Sequence, residues 1–278
     1  MNESRMVGSS KLTGTILSVL GWLIALAMFF PVFWMVLTAF KHERDAFTSP
    51  PKFIFKPTLE QFDAVLSGGL TAAVANSAWV TLASTALVIA LGLPAAYALA
   101  LRPVEKWQDV LFFFLSTRML PVVGAIVPIY VIARNINMLD NVWTLVVLYT
   151  AINLPIAVWM LRSFMSEVPT EVLEASRVDG ASLWQEATKV LFPMIAPGIA
   201  ATALICVIFA WNEFFLAVTL TAVRAQTVPV YLVGFITSEG AFWARLSAAA
   251  TLAAIPVLLA GWIAQRYLVR GLTLGAIK

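Results

Sequence analysis

The sequence predicts an all-α polytopic membrane protein of about six spans with one charged, helix-forming loop, and three observations point there. Hydrophobic residues fill 61% of the 278 positions and charged residues 12%, a balance that no water-soluble domain of this size could cover with polar surface. The mean hydropathy of +0.89 comes from several long runs without Asp, Glu, Lys or Arg, and one anchor could not supply it. A bilayer core about 30 Å thick takes about 20 apolar residues per helix, and six stretches reach that length.

Leu12 to Phe40 is the first. It exceeds the roughly 7 to 15 apolar residues of a signal peptide and no clear cleavage site follows, so a retained span is expected. In the second stretch, Ala64 to Leu101, Gly68 and Gly69 mark a loop and leave a helix from about Val74 to Leu101. The third runs from about Val110 to Ala133 and contains Arg118, Pro121 and Pro128; the fourth is Asn141 to Leu161. Val190 to about Leu220 and Leu246 to Gln265 complete the set. Pro121, Pro128 and Pro155 each remove a helix hydrogen bond and can kink a span, which suits a gate and ordinary packing alike. The residues from Lys41 to about Ala73, with Pro50, Pro51 and Pro57, form the longest extramembrane piece, expected as an irregular external cap. The whole chain reads as one transmembrane domain.

An even number of spans leaves both termini on one side. Lys and Arg in short flanking segments favour the cytoplasm. With both ends inside, ten basic residues lie inside and seven outside, and four of those seven share the Lys41 to Asp63 segment with four acids. The tail Arg266, Arg270 and Lys278, with no acid nearby, is the cleaner cytoplasmic signal.

Several classes drop out on composition. Cys206 is the single cysteine and His42 the single histidine, so neither a disulfide framework nor a metal-ligand set is available. Basic residues are scattered and give no nucleic-acid stripe. There is no Gly-x-x-x-x-Gly-Lys-Ser/Thr loop to cradle phosphates, so any ATP-driven transport would take its energy from another chain. An ion-coupled carrier, the alternative reading, commonly places several ionisable groups at membrane depth; here Arg118 and, near a span end, Glu213 are the candidates. No paired carboxylates or histidine within a span suggest an enzyme.

The loop from Arg162 to Lys189 carries the most local information. Pro169-Thr170 followed by Glu171 and Glu174 suits a helix start with acids at its positive dipole end. Asp179-Gly180 is a stop and turn pair. Ser182-Leu183-Trp184-Gln185 then matches a capping box that opens a second helix. Val172, Leu173, Val178, Leu183 and Trp184 are too many apolar side chains for a solvated linker and too few for a span. They need a protein surface, either the inner ends of the chain's own spans or a partner.

Glu174-Ala175-Ser176, then Gly180, then Val190, Phe192 and Pro193 resemble the motif of ABC-importer membrane subunits: Glu-Ala-Ala, four residues later Gly, then Ile-x-Leu-Pro. Ser176, Val190 and Phe192 are its departures, and Asp179-Gly180-Ala181 matches the Asp-Gly-Ala of the carbohydrate branch. The resemblance extends to Asn76-Ser77, Ala95-Ala96-Tyr97-Ala98, Trp211-Asn212-Glu213 and Gly271-Leu272-Thr273-Leu274-Gly275-Ala276, and is that of the smaller permease in a maltose-type pair. Ser116-Thr117-Arg118-Met119-Leu120-Pro121 and Trp243-Ala244-Arg245-Leu246-Ser247 resemble the sorbitol and mannitol (polyol) importers. Such a permease is implied to sit in a bacterial inner membrane with a second homologous permease, two ATP-binding subunits and an external solute-binding protein. The resemblance further implies that ATP is bound by the partner subunit, so that this chain needs no cofactor. It makes the loop a coupling helix on the ATPase, with Glu174 as the ionic contact, Gly180 as the turn, and Ala175, Ser176, Asp179, Ala181 and Pro193 completing the motif.

Arg118 lies nine residues beyond Asp109, roughly 13 Å at about 1.5 Å per residue, deep enough to line a pathway or to require structural pairing. Glu213 lies 24 residues past Lys189 and reaches the far face. With Trp211 and Asn212 it either lines an entrance suited to a sugar or polyol or belongs to an interfacial aromatic belt.

Overall fold

The computed structural model describes residues 11–102, 104–119, 122–238 and 240–275. Two compact units emerge: the residues up to Gly68 together with Phe235–Leu252, and Gly69–Gly234 together with the residues from Ala253.

In the first unit, helix α1 (Lys11–Ala39) is apolar along its length, and its side chains from Ile16 to Phe33 are exposed, as a lipid-facing span requires. The residues after it are more ordered than an irregular cap. They hold the short helices α2 (Glu43–Ala46) and α3 (Glu60–Val65) because aromatic contacts fold the segment back on α1. Trp34 meets Phe53 edge-on at 5.0 Å, Phe40 meets Phe62 at 5.0 Å, and the buried Lys41 ammonium lies 4.0 Å from the Trp34 ring centroid. The Glu43 carboxylate accepts the amides of Ala244 and Arg245 at 3.0 and 3.2 Å, at the free start of the last helix (Trp243–Gly275), where an anion is favoured. That helix therefore begins before the expected Leu246. A two-residue hairpin precedes it, Ile236–Thr237 against Gly240–Ala241.

The second unit is built on α4 (Thr71–Leu101) and α7 (Val142–Ser166), the most extensively packed pair in the protein. A wide turn, Leu66–Leu70, precedes α4 and holds Gly69 at φ 104, a conformation that favours glycine. On α4 the buried residues Ala73, Ser77, Val80, Ser84, Val88, Gly92, Ala96 and Leu99 recur every three or four positions. Lipid offers no hydrophobic gain for bringing helices together, so small side chains that permit close approach matter. A Cβ on Gly92 would lie 3.2 Å from Leu161 Cδ1.

Helix α7 begins where the Asn141 side chain accepts the Trp143 amide at 2.9 Å and passes Leu161 to end at Ser166. Arg162 ends the apolar run without ending the helix, because its guanidinium lies 3.5 Å from the centroid of the Trp107 ring.

Two expected spans are not single straight helices. Between Val110 and Ala133 the chain forms α5 (Trp107–Met119) and α6 (Val122–Asn135), with axes 83° apart; Pro121 lies outside the described residues. Helices α6 and α7 continue through Pro128 and Pro155. The expected Val190 to Leu220 span is likewise divided. A helical segment from Leu183 to Met194 bends by 77° at Ile195 into α11 (Ala196–Trp211), and after Asn212–Phe214 a short helix covers Phe215–Leu220. Pro193 and Pro197 lack amide protons on either side of that bend, so the hydrogen-bond ladder cannot run straight across it.

Among the described residues, four helical segments are long and apolar enough to cross a bilayer, Gly14–Ala39, Glu60–Leu101, Val142–Ser166 and Trp243–Ile263, and there are up to six if each bent pair counts as one span. The fold is that of an all-α polytopic membrane protein. Of the cations in the tail, Lys278 lies outside the described residues, as do the side chains of Arg266 and Arg270.

Gly198 on α11 packs under the Phe164 ring so closely that a Cβ would lie 2.4 Å from Phe164 Cγ. Gly198→Ala should lower the stability of the purified protein by about 1 to 3 kcal/mol, and adding Phe164→Ala should recover part of the loss. A melting temperature in detergent that is unchanged by Gly198→Ala would contradict this packing.

Candidate functional site: the Thr170–Met194 segment and the far end of the bundle

Helix α8 (Thr170–Val178) stops in a Schellman arrangement. Gly180, at φ 83, donates its amide to Arg177 O at 3.0 Å and Ala181 donates to Ser176 O at 3.0 Å, which satisfies carbonyls that the helix leaves free. The next helix, α9 (Leu183–Gln185), opens on a complete capping box: the Ser182 amide donates to Gln185 Oε1 at 2.8 Å and the Gln185 amide to Ser182 Oγ at 3.4 Å. A π-helical turn, Glu186–Leu191, and α10 (Phe192–Met194), which contains Pro193, lead on to α11. Two short helices hinged at Gly180 are thus what the sequence predicts here, down to the capping atoms.

One apolar residue of α8 is covered. Leu173 is buried among Ala96, Leu161, Met165, Leu191 and Ile195, at the ends of α4 and α7. Val172, Val178, Leu183 and Trp184 are 38%, 87%, 59% and 75% exposed. Glu174 and Ala175 are exposed on the same helix; Ser176 is buried, with its hydroxyl donating to Leu173 O.

Beneath this surface lies a buried carboxylate. Glu186 is fully buried and accepts Arg177 through both oxygens and Tyr97 Oη at 2.5 Å. Arg102, at the end of α4, donates to Tyr97 Oη at 3.1 Å. The Arg177 hydrogen bonds hold Glu186 below the ordinary carboxylate range against the opposing effect of burial, and they raise the Arg177 pKa in turn.

The other candidate residues fall into separate surroundings. The Arg118 guanidinium carbon lies 4.6 Å from the centroid of the Phe209 ring on α11; among the described residues no carboxylate lies within ion-pair distance of it. Trp211 is buried with Ala73, Val228 and Ala253. The exposed Asn212 side chain donates back to Ile208 O at 2.8 Å. Glu213 accepts the amides of Leu216 and Ala217 at 2.9 and 3.2 Å, so it satisfies the start of α12 (Phe215–Leu220). Among the described residues, no hydrogen bond, ion pair or ring contact joins Arg118 to the Trp211-Asn212-Glu213 run.

Residues 89–274 match the family described as "binding-protein-dependent transport system inner membrane component". The chain belongs to this family. It is 40% identical over 272 residues to a "Probable ABC transporter permease protein" of Sinorhizobium fredii, covering 97% of this chain and 98% of the relative. The diacetylchitobiose uptake system permease protein of Streptomyces coelicolor is 33% identical, covering 91% of this chain and 93% of its own, and the trehalose/maltose transport system permease protein of Thermococcus litoralis is 31% identical, covering 92% and 94%. Among solved structures, a chain of a bacterial ABC transporter involved in the import of the acidic polysaccharide alginate shares the fold, with a TM-score of 0.75, 22% identity and coverage of 96% of this chain and 99% of that chain.

In this inner-membrane permease a further polar cluster lies at the opposite end of α4 and α7, and sequence reasoning missed its centre. Asp140 precedes α7 and accepts four successive amides, Ala222 through Ala225, at 2.9 to 3.2 Å. From the other side, Asn76 donates to the carbonyls of Arg224 and Gln226 at 2.9 and 3.0 Å, and Ser77 Oγ accepts the Val228 amide at 2.8 Å. Asn76-Ser77 is visible as a motif. No spacing rule joins Asp140 to a loop more than 80 residues away.

Burial alone would raise the Asp140 pKa, but the four amides bring it down to about 2 from 3.8. A depressed acid contributes stability that is present above its unfolded value and is lost as the pH falls through its folded value. Asp140→Asn, which tolerates the left-handed backbone at φ 52, should cost about 1 kcal/mol at neutral pH. The gap in melting temperature between wild type and variant should close between pH 3.8 and about 2; a gap independent of pH in that window would contradict the assignment.

Proposed function

We propose that this chain is the permease subunit of a binding-protein-dependent ABC importer for a carbohydrate, and more narrowly for a polyol such as sorbitol or mannitol, with Thr170–Glu186 as its docking element for a separate ATP-binding subunit. The observation that carries the docking role is the exposed apolar face of that segment: Val172, Val178, Leu183 and Trp184 stand uncovered beside Glu174, on helices whose ends are closed by a Schellman turn and a capping box. A surface that is preformed and apolar calls for a partner protein. The absence of a phosphate-cradling loop from the sequence calls for an ATPase. One partner meets both needs.

In this reading Glu174 makes the ionic contact and Gly180 the turn, with Ala175, Ser176, Asp179, Ala181 and Pro193 giving the segment its shape. ATP is bound by the partner, two copies of which serve this permease and a second homologous one. Both termini and the docking segment are cytoplasmic. Closure of the ATPases on ATP moves the segment and opens the bundle to an external binding protein, which delivers the solute. Arg118 over Phe209 offers a donor beside an aromatic face, a combination suited to a polyol, and Asn212 and Glu213 stand at the far end of α11. The carbohydrate reading is supported by the relatives named for diacetylchitobiose and for trehalose and maltose. The polyol reading rests on Ser116–Pro121 and Trp243–Ser247.

Gly180→Val forces a β-branched residue to φ 83, at a cost of about 1 to 2 kcal/mol, and Glu174→Arg reverses the contact charge. Both should abolish co-purification of the ATP-binding subunit and solute uptake while the permease still reaches the membrane. Retained association and uptake in both variants would refute the docking role. For the solute, calorimetric titration of the external binding protein should give tight binding of sorbitol or mannitol and weak binding of maltose and trehalose; the reverse order would refute the polyol reading. Uptake driven by an ion gradient into liposomes holding this chain alone would establish an ion-coupled carrier instead.

A further inference from the structure

The docking segment is joined to the long helix α4 by one carboxylate, and we infer that Glu186 is the positioning residue that makes the two move as one body. Four observations meet at it. Glu186 is fully buried, although it stands on the short helical run that follows the exposed Leu183-Trp184 surface. Arg177, the penultimate residue of α8, grips both of its oxygens from across the Gly180 turn. Tyr97, in the last full turn and a half of α4, donates its hydroxyl to the same carboxylate. Arg102, directly after α4, holds that hydroxyl from the other side at 3.1 Å.

Each partner is placed by its own element, so removing the carboxylate leaves the Tyr97 hydroxyl oxygen as the one acceptor between the guanidiniums of Arg177 and Arg102, and the bidentate link between α8 and α4 is lost. Apolar contact also joins these parts: Leu173 of α8, Ala96 of α4 and Leu191 after Glu186 share one cluster. Apolar contacts allow sliding at little cost, because one neighbour replaces another. A bidentate arginine pair with a third donor fixes distance and direction together. Glu186 therefore supplies the rigidity that the apolar cluster lacks, and a displacement of α8 is passed to the end of α4.

This inference rests on the docking role of Thr170–Glu186, and the test separates the two. The importer, assembled in lipid nanodiscs with its second permease and ATP-binding subunits, is followed by amide hydrogen exchange with and without MgATP and orthovanadate. In wild type, trapping should change exchange both in peptides covering 170–186 and at the end of α4, residues 98–102. In Glu186→Ala, and in Tyr97→Phe, which removes only a hydroxyl and keeps the ring packed, the response at 170–186 should remain while that at 98–102 falls about tenfold, the scale of one lost charge-assisted hydrogen bond. A role confined to folding would alter exchange before nucleotide is added and would leave the response to nucleotide intact. An undiminished response at 98–102 in Tyr97→Phe, or none there in wild type, overturns the assignment to Glu186. A wild-type segment 170–186 that ignores nucleotide overturns the docking role itself.

Discussion

The second unit depends on the contact between α4 and α7. In a bilayer two apolar helices gain nothing by leaving lipid for each other unless they approach closely, and these do so through Ser84, Gly92 and Ala96 on one side and Thr150, Ala157 and Leu161 on the other. The pair then acts as a strut with polar attachments at its two ends. At one end Asn76, Ser77 and Asp140 hold the 222–228 loop by its backbone. At the other, Tyr97, itself held by Arg102, reaches Glu186, while Arg162 lies against Trp107.

The chemistry of the two ends differs in a way that suits different tasks. Asp140 engages only amides of one loop, and four such bonds freeze a backbone without involving any mobile side chain. Glu186 engages side chains from two different helices, so it joins bodies where Asp140 shapes one. The exposed apolar residues lie next to the second kind of attachment. In the proposed docking role, that surface gains from standing on a part that can push on something, and the long helix α4 is within reach.

Local signals made much of this legible. The Schellman turn at Gly180 and the capping box at Ser182 depend on neighbours within four residues, and the sequence carries both in full. Span existence was legible because bilayer thickness demands length. Span continuity was not: the 77° bend at Ile195 follows from two prolines four residues apart, a pattern equally consistent with a straight, slightly kinked helix. The early start of the last helix was hidden as well, since Glu43 supplies its anion from 201 residues earlier. Asp140, Tyr97 and Glu186 went unseen as sites for the same reason, because their partners are brought to them by tertiary packing. Glu213, prominent in sequence as an acid at a span end, caps a short helix with the carboxylate that singled it out.

The family places this chain among inner-membrane components of binding-protein-dependent transport systems, and the physical question is where energy enters. The uncovered face around Trp184 is the place to ask it. A photoreactive benzophenone amino acid installed at position 184, irradiated in intact cells, should trap the ATP-binding subunit in a single prominent product. Products confined to lipid or to this chain itself would contradict entry of the ATPase's motion through this segment.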